Sequence, residues 1–417
     1  MNYKIIPLAF FLLFPVSLLA QQELQIHHIN IENGDAEMIA IYDNSTHQYI
    51  SKVLIDGGQT ASGAMLLPYL KKVADNLHFN YVMLTHYHND HYTGLLALGT
   101  GQITADSLVD PGGYDFRQYF PGQPNLASEP KPASMVVAGQ WTSMIQSAMA
   151  HHYLGGRSEV LESFGTNSKQ SSLGHKLVIG KVNGLPVTME CVAGWGNTLS
   201  NGAMVANPLP AKGNANNFSM AFILQCGEFR YFIGGDLGGS DKSLYIDQED
   251  PLINYLSIDL PPVHTTSGAV AAAGHICGFK ADHHGSSYAN TVAFMNATHA
   301  AIIITSAGNN SGWHLPQVPF IDNLASVHPL SGNHGFYFTN LYDWGTNKNS
   351  LTEATTLFAN KPGIGFDYGN PAGHKYSYVV RVKSDHLAEE SDFEVDRVDI
   401  SGATLYTPLG TFLCHKK

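Results

Sequence analysis

The chain has 417 residues, of which 44% are hydrophobic and only 13% are charged. That length allows one large domain or two ordinary domains with a substantial buried core. The 22 basic and 34 acidic residues give a formal net charge of −12. The chain therefore lacks the overall positive field that supports non-specific nucleic-acid binding, and tight binding of nucleic acid is not expected.

Residues 1–20 have the pattern of a secretory signal peptide. Lys4 precedes an apolar stretch from Ile5 to Ala20 that is interrupted by Pro7 and Pro15. A membrane-spanning helix needs about 20 apolar residues, so this shorter stretch predicts cleavage near Ala20. The mature protein would be secreted or periplasmic, without a stable membrane anchor; a retained anchor is the alternative.

From residue 24 the chain alternates short apolar strands with helices. The segments LQIHHINI, AEMIAIYD and YISKVLIDGG are predicted to be strands, because turn residues separate them. GAMLLPYLKKVAD has apolar residues at helical spacing. FNYVMLTHYHNDH follows as a buried strand, and a second helix is expected over 92–98. This order of elements is typical of an α/β fold.

Residues 100–170 fit no regular pattern and are interpreted as an insertion that contains a loop and a helical stretch, SMVVAGQWTSMIQSAMAHHYL. Two β-hairpins are predicted after it, with turns at Asn183-Gly184 and Gly227-Glu228. A third hairpin is predicted over about 376–399. The mature chain, 21–417, is therefore predicted to form one domain with an insertion.

Four cysteines are present, and none forms a C-x-x-C pair, so a zinc site made of cysteines alone is not expected. In an oxidising compartment one or two disulfides are expected. The Cys191–Cys226 pair is favoured over pairs that use Cys277 or Cys414, because both of its members lie on predicted strands. Four free buried thiols are the alternative.

The segment THYHNDHYTG, residues 85–94, places three histidines and an aspartate directly after a buried strand. Residues two apart on a strand point to the same side, so His86 and His88 can approach one ion together. The turn that follows brings Asp90 and His91 to the other side of the same cavity. Imidazole nitrogens and carboxylate oxygens suit zinc, and also iron or manganese. A histidine-rich surface loop, the alternative, explains neither the spacing nor the apolar strand.

Three further residues are candidates for the same site. Asp236 ends an apolar strand at Gly-Gly-Asp, where a carboxylate is otherwise explained only as a turn residue. Asp56, at the end of VLIDGG, is a candidate to accept the free N–H of a metal-binding histidine. His314, in GWHLP, is a candidate donor to an oxyanion, with an ordinary loop histidine as the alternative.

The order His-x-His-x-Asp-His after a buried strand resembles the signature motif of the metallo-β-lactamase fold superfamily. Five further segments resemble the hydrolase domain of DNA-uptake competence proteins and their free-standing secreted relatives: HHINIENGDAEMIAI, LIDGG, NNFSMAFILQCGEFRYFIGGDL, DHHGS and SAGNNSGWHLP. The resemblance covers most of residues 25–340 and matches 100–170 poorly. It implies a four-layer αββα sandwich in which the insertion interrupts the regular elements.

The resemblance also implies a site for two divalent ions, with zinc as the first choice and manganese or iron as alternatives. It assigns His86 and His88 to one ion, and Asp90 and His91 to the other. One histidine of the pair His283-His284 completes the second set, with His283 preferred, and Asp236 bridges the two ions.

One position departs from the family pattern. Many members have a Gly-His-Thr histidine for the first ion, whereas the matching segment here, GWGNTL, has Asn197. The competence-type branch also tends to lack this histidine. The site is then either mononuclear or completed by another residue, with four candidates: His151, His152, His175 and His264.

A bound metal lowers the pKa of water from 15.7 to about 7, so the predicted activity is hydrolysis without an organic cofactor. Asp90 would both bind metal and orient the attacking water. The resemblance implies phosphodiester hydrolysis, and the acidic charge favours a small-molecule, nucleotide-type or cell-wall substrate over a nucleic-acid polymer. The alternatives are hydrolysis of a β-lactam, lactone or other ester or amide, and a binding protein that has lost catalysis.

Overall fold

The computed structural model contains two large β-sheets with helices packed against them. The strands are β1 (Gln22–His28), β2 (Glu37–Asp43), β3 (Gln48–Ile55), β4 (His78–Met83), β5 (Thr104–Val109), β6 (Lys176–Val182), β7 (Leu185–Gly194), β8 (Asn197–Ser200), β9 (Ala203–Ala206), β10 (Ala221–Cys226), β11 (Phe229–Ile233), β12 (Val263–His264), β13 (Val270–Ala271), β14 (Gly278–Lys280), β15 (Ile302–Thr305), β16 (His334–Phe338), β17 (Ile364–Tyr368), β18 (Ser377–Lys383), β19 (Asp392–Val398) and β20 (Tyr406–Leu413). The helices are α1 (Gly63–Val73), α2 (Asn89–Gly99), α3 (Glu249–Leu256), α4 (Val292–Thr298), α5 (Val318–Val327) and α6 (Ser350–Phe358).

The structure describes residues 22–59, 63–86, 88–99, 102–109, 173–194, 196–200, 203–206, 214–241, 245–256, 263–264, 270–271, 276–298, 300–308, 312–327, 334–342, 349–369, 375–383 and 392–414. The predicted signal peptide and residues 110–170 of the predicted insertion lie outside these ranges. Within them, no helix is long and apolar enough to cross a membrane.

The first sheet has eight strands in the order β20-β19-β18-β1-β2-β3-β4-β5. Strands β1, β2 and β3 pair antiparallel, whereas β3, β4 and β5 pair parallel. The parallel pairing requires a crossover between β3 and β4, and α1 supplies it. Strand β5 lies within the range assigned to the insertion, so the regular sheet extends to Val109.

The second sheet has ten strands, with nine in the order β17-β16-β15-β14-β11-β10-β7-β8-β9 and β6 paired with β7. The hairpins β6–β7 and β10–β11 are antiparallel, as the sequence predicts. Asn183 and Gly184 both have positive φ, of 47° and 85°, which fits the turn type that Asn-Gly favours. The other strands of this sheet, β11, β14, β15, β16 and β17, pair parallel in that order.

The two sheets face each other across the larger hydrophobic core. Strand β2 illustrates the arrangement, because Ile39 and Ile41 belong to the core between the sheets. Met38 and Ala40 point to the opposite face and pack with residues of α1 and α2. Helices α3 to α6 contribute Leu252 and other side chains to packing against the second sheet. The result is the four-layer αββα arrangement expected from the sequence.

The predicted Cys191–Cys226 disulfide is wrong. The structure contains a Cys277–Cys414 disulfide, and Cys191 and Cys226 are free and buried. Although β7 and β10 are neighbours, Cys191 lies opposite Phe222 and Cys226 opposite Val187, so the two thiols are not paired across the strands. Residues on adjacent strands can be bridged only when their Cα atoms are within about 7 Å.

Candidate metal centre

The candidate metal centre is built at the carboxyl ends of strands from both sheets. His86 and His88 follow β4 of the first sheet, and Asp236 and His284 follow β11 and β14 of the second. Strands β11 and β14 are parallel neighbours, so the segments that leave their carboxyl ends lie at the same edge of the sheet. Helix α2 begins at Asn89, which places Asp90 and His91 in its first turn and not in a loop before it.

The first group of potential ligands is His86, His88 and Asp236. His86 Nε2 lies 3.1 Å from His88 Nδ1 and 3.7 Å from Asp236 Oδ2. Such separations allow all three atoms to reach one ion at the roughly 2.0–2.2 Å bond lengths of zinc.

The second group is Asp35, His91, Asp236 and His284. His91 Nε2 lies 3.4 Å from Asp236 Oδ2, and His284 Nε2 lies 3.5 Å from Asp236 Oδ1. Asp236 thus offers one oxygen to each histidine and belongs to both groups. Its carboxylate is the point at which the two groups meet.

The second group also contains buried polar atoms that lack hydrogen bonds, which is an indication of a metal site. Among the described residues, His91 Nε2, His284 Nε2 and Asp236 Oδ1 are buried atoms without a hydrogen bond. Buried polar atoms are normally satisfied, so converging atoms of this kind need an explanation. A divalent cation held by the two imidazoles and the carboxylate supplies one.

Asp56 sets the orientation of two histidines. Its Oδ2 accepts a hydrogen bond from His91 Nδ1 at 2.7 Å, which leaves the lone pair of His91 on Nε2. The same carboxylate accepts from the Thr85 backbone N–H at 2.8 Å and from the Thr85 hydroxyl at 2.7 Å. The Thr85 oxygen is then free to accept from His86 Nδ1, 3.1 Å away. Both histidines therefore present Nε2 to the centre.

His284 is oriented in the same way by groups from other segments. Its Nδ1 donates to the carbonyl oxygen of Ser306 at 3.0 Å and lies 3.3 Å from Asp35 Oδ1. Asp35 thus contacts the ring nitrogen that faces away from Asp236. Its carboxylate acts as a support for His284 rather than as a ligand.

Lys280 connects the segments behind the centre. Its fully buried ammonium group lies 2.5 Å from Asp35 Oδ2 and donates to the carbonyl oxygens of Gly235 at 2.9 Å and Ala281 at 3.1 Å. Gly235 precedes Asp236, and Ala281 lies three residues before His284. One cation therefore holds three segments that supply or support the candidate ligands.

The buried charges raise the pKa values of His284 and His91 and lower that of Asp236. Burial opposes the charge on His284, but Asp236 and Asp35 outweigh burial and raise its pKa to about 9. Burial likewise opposes the charge on His91, whereas Asp236 and Asp56 raise its pKa well above 6.5. Burial alone would raise the pKa of Asp236, yet His284 and His91 hold it well below its usual value. The carboxylate is therefore ionised and ready to bind a cation.

The geometry favours His284 over His283, which the sequence analysis preferred, because the second group of potential ligands contains His284. His283 Nε2 lies 3.9 Å from Asp236 Oδ2 and 3.1 Å from Asn216 Nδ2. Both histidines have positive φ, of 47° and 55°, and this irregular turn directs the second ring into the group. Asp90 lies outside both groups, although its Oδ2 is 3.6 Å from His284 Nε2.

The structure does not bring the other candidates into the two groups. His314, which has a positive φ, lies outside both, as does His175. The side chain of His264 lies outside the described residues, and so do His151 and His152.

Sequence reasoning missed Asp35, Thr85 and Lys280 as parts of the site. Asp35 lies in the Gly-Asp-Ala turn that was used for the resemblance alone, and Thr85 directly precedes the histidine motif. Lys280 lies in the apolar segment ICGFKADHHG, where a buried lysine needs a carboxylate partner. A lysine within an apolar segment is the sequence signal that indicates a buried ion pair at Lys280.

Residues 51–105 match the model of the metallo-beta-lactamase superfamily, and this range includes His86, His88, Asp90 and His91. The chain has the metallo-β-lactamase fold. YhfI from Bacillus subtilis, a solved protein of this fold, is 12% identical, with a TM-score of 0.34 over 82% of this chain and 96% of that chain. Zn²⁺-bound PqqB from Methylobacterium extorquens is 14% identical, with a TM-score of 0.32 over 79% and 85%. Unliganded yeast PDE1 is 10% identical, with a TM-score of 0.36 over 84% and 98%. No curated protein sequence matches the chain.

Proposed function

We propose that the protein is a secreted, metal-dependent hydrolase of phosphodiester bonds that uses two divalent ions, zinc being the first choice. The observation that carries this proposal is the position of Asp236, whose carboxylate faces both His86 and the His91–His284 pair. When bound, two such ions make water nucleophilic at neutral pH and neutralise charge on phosphoryl oxygens. Phosphodiester hydrolysis needs both effects.

The chain's own residues have distinct roles in this proposal. His86, His88, His91, His284 and Asp236 hold the ions, and Asp56, Asp35 and Lys280 fix the rings and the turns that carry them. The Asp90 side chain is 24% exposed, whereas the side chains of His284 and Asp236 are at most 4% exposed. Asp90 is therefore placed to bind metal from the solvent side and to accept a proton from water at its carboxylate. His314 keeps its proposed role as a donor to the substrate.

The finer assignments rest on the sequence. The competence-type branch is proposed from the motifs of that branch, including Asn197 where other members have a histidine. Secretion is proposed from residues 1–20, and the Cys277–Cys414 disulfide is compatible with an oxidising compartment. The proposed substrate is a small-molecule, cell-wall or nucleotide-type phosphodiester, because the acidic chain does not favour polymeric nucleic acid.

The proposal is tested by turnover of four chromogenic substrates with zinc-loaded protein: bis-p-nitrophenyl phosphate, p-nitrophenyl phosphorylcholine, a lactone and a cephalosporin. Turnover of one or both phosphodiesters, lost in Asp236→Asn, is expected. Asp106→Asn is the matched control, because Asp106 is 56% exposed on the edge strand β5 and lies outside both ligand groups. Turnover of the lactone or the cephalosporin alone would refute the phosphodiester assignment.

A further inference from the structure

The solvent-exposed part of the candidate metal centre, which we call its open side, lies at Asp90, His88 and His283. The side chains of His86, His91, Asp236 and His284 are 4% exposed or less. By contrast, Asp90 is 24% exposed and His283 is 14% exposed. A substrate can therefore reach the centre at Asp90, His88 or His283, so the side chains that flank His283 are placed to contact it.

Beside His283 lies a set of three rings, His283, Tyr245 and Tyr288, which we call the aromatic wall. The ring centroids of His283 and Tyr245 are 5.3 Å apart, and those of Tyr245 and Tyr288 are 5.1 Å apart with an angle of 17° between the planes. Both tyrosines are half-buried, and neither ring is among the potential ligands. The wall therefore borders the open side of the centre and leaves part of its surface accessible.

The aromatic wall is held by hydrogen bonds from several segments. Asn216 Nδ2 lies 3.1 Å from His283 Nε2, which fixes that ring. The backbone N–H of Gly239 donates to the carbonyl oxygen of Tyr288 at 2.7 Å, and the Tyr288 N–H donates to Ser286 Oγ at 3.2 Å. A preformed aromatic surface costs little to order when a ligand binds.

We propose that the aromatic wall is a binding subsite for a planar aromatic group carried by the phosphate or phosphonate compound that occupies the metal centre. The inference rests on the proposed function, because it assumes that the phosphoryl group lies at the metal ligands. Flat rings stack at centroid distances of about 4.5–7 Å, the spacing already present within the wall. An aromatic substituent on the phosphoryl group would extend past His283 toward these rings, whereas a methyl group has no ring to pack against them.

The test compares binding of phenylphosphonate and methylphosphonate to zinc-loaded protein by calorimetry. These probes share the phosphonate and differ by one ring. We expect phenylphosphonate to bind about fivefold more tightly to the wild type, the size of effect typical of one aromatic contact. The ratio of the affinities for phenylphosphonate and methylphosphonate should fall to about one in Tyr245→Leu, which keeps apolar bulk but removes the ring.

Tyr42→Leu is the matched control. Tyr42 is also half-buried and packs against another tyrosine, Tyr49, at a centroid distance of 5.0 Å. It lies near the end of β2, whereas Asp35 of the second ligand group precedes the start of that strand. The ratio should stay at about five in this variant. If Tyr245→Leu fails to fold, Tyr288→Leu replaces it, with the same expected loss of preference.

Equal binding of the two probes to the wild type, binding of neither, or an unchanged ratio in a folded wall variant would overturn the subsite. Turnover is measured separately with bis-p-nitrophenyl phosphate. Absence of phosphodiester turnover together with the expected binding ratios would overturn the proposed function and support the subsite. Phosphodiester turnover without tighter binding of phenylphosphonate would support the proposed function and overturn the subsite.

Discussion

Replacing Lys280 with methionine tests the role assigned to the cation behind the candidate metal centre. Lys280 and Asp35 are both fully buried, and their charged groups are 2.5 Å apart. Methionine preserves much of the side-chain volume but leaves the Asp35 carboxylate without its cation. Breaking a buried ion pair by removing one partner costs about 3–5 kcal/mol. The loss of the hydrogen bonds to Gly235 and Ala281 acts in the same direction.

The free energy of unfolding should be measured by urea denaturation of metal-free protein in EDTA, so that metal binding does not contribute. Lys280→Met should be destabilised by about 3–5 kcal/mol. Lys280→Met/Asp35→Asn should lose less than the sum of the two single variants, because the double variant contains no uncompensated charge.

Lys52→Met is the matched control. Lys52 Nζ lies 2.8 Å from Asp75, but the Asp75 side chain is 26% exposed, so its carboxylate stays hydrated when the lysine is removed. The expected cost is smaller than for Lys280→Met, because the carboxylate that remains is in contact with water. Additive effects in the double variant, or a loss for Lys280→Met no larger than that for Lys52→Met, would refute the reasoning.

Three further predictions concern the ligand set, the disulfide and pH. His284→Ala should weaken zinc binding, measured by chelator competition, more than His283→Ala does, and the opposite order would restore His283 as the ligand. The Cys277–Cys414 disulfide separates its cysteines by 137 residues, so Cys277→Ser/Cys414→Ser should lower the free energy of unfolding by up to about 5 kcal/mol; unchanged urea unfolding would contradict this. His284 has a folded pKa of about 9 against an ordinary 6.5, so it stabilises metal-free protein fully below pH 6.5. In thermal unfolding with EDTA, the stability of the wild type should fall as pH rises through 9, and the stability of His284→Ala should fall less. Identical dependence of stability on pH in the two proteins would count against this prediction.

The local parts of the fold could be predicted from sequence because short-range rules determine them. The turn at Asn183-Gly184 follows from residues that tolerate positive φ, and both have it. The proximity of His86 and His88 follows from their spacing beyond β4. Both features need only a few neighbouring residues.

Features that depend on how the sheets pack could not be predicted in this way. Asp35 and Lys280 are 245 positions apart in sequence, and they meet because the segments after β1 and within β14 come together behind the centre. The choice between His283 and His284 depends on two consecutive residues with positive φ, which the sequence does not specify. The disulfide likewise required the positions of both sheets.

The wrong disulfide has a specific cause. Cys191 and Cys226 do lie on strands, as predicted, and the structure shows that these strands, β7 and β10, are neighbours. Strand assignment alone gives no register, and the observed register places each thiol opposite a different residue. Cys277, just before β14, instead meets Cys414, just after β20 of the other sheet.

The account as a whole depends on distant side chains meeting at one carboxylate to bind cations. Its most direct test is the zinc content of purified protein after equilibration with excess zinc and gel filtration, measured by mass spectrometry of the metal. The wild type and Asp106→Asn should each retain two zinc ions per chain, and Asp236→Asn should retain at most one. A wild type that retains no zinc, or an Asp236→Asn variant that retains as much as the wild type, would contradict the account.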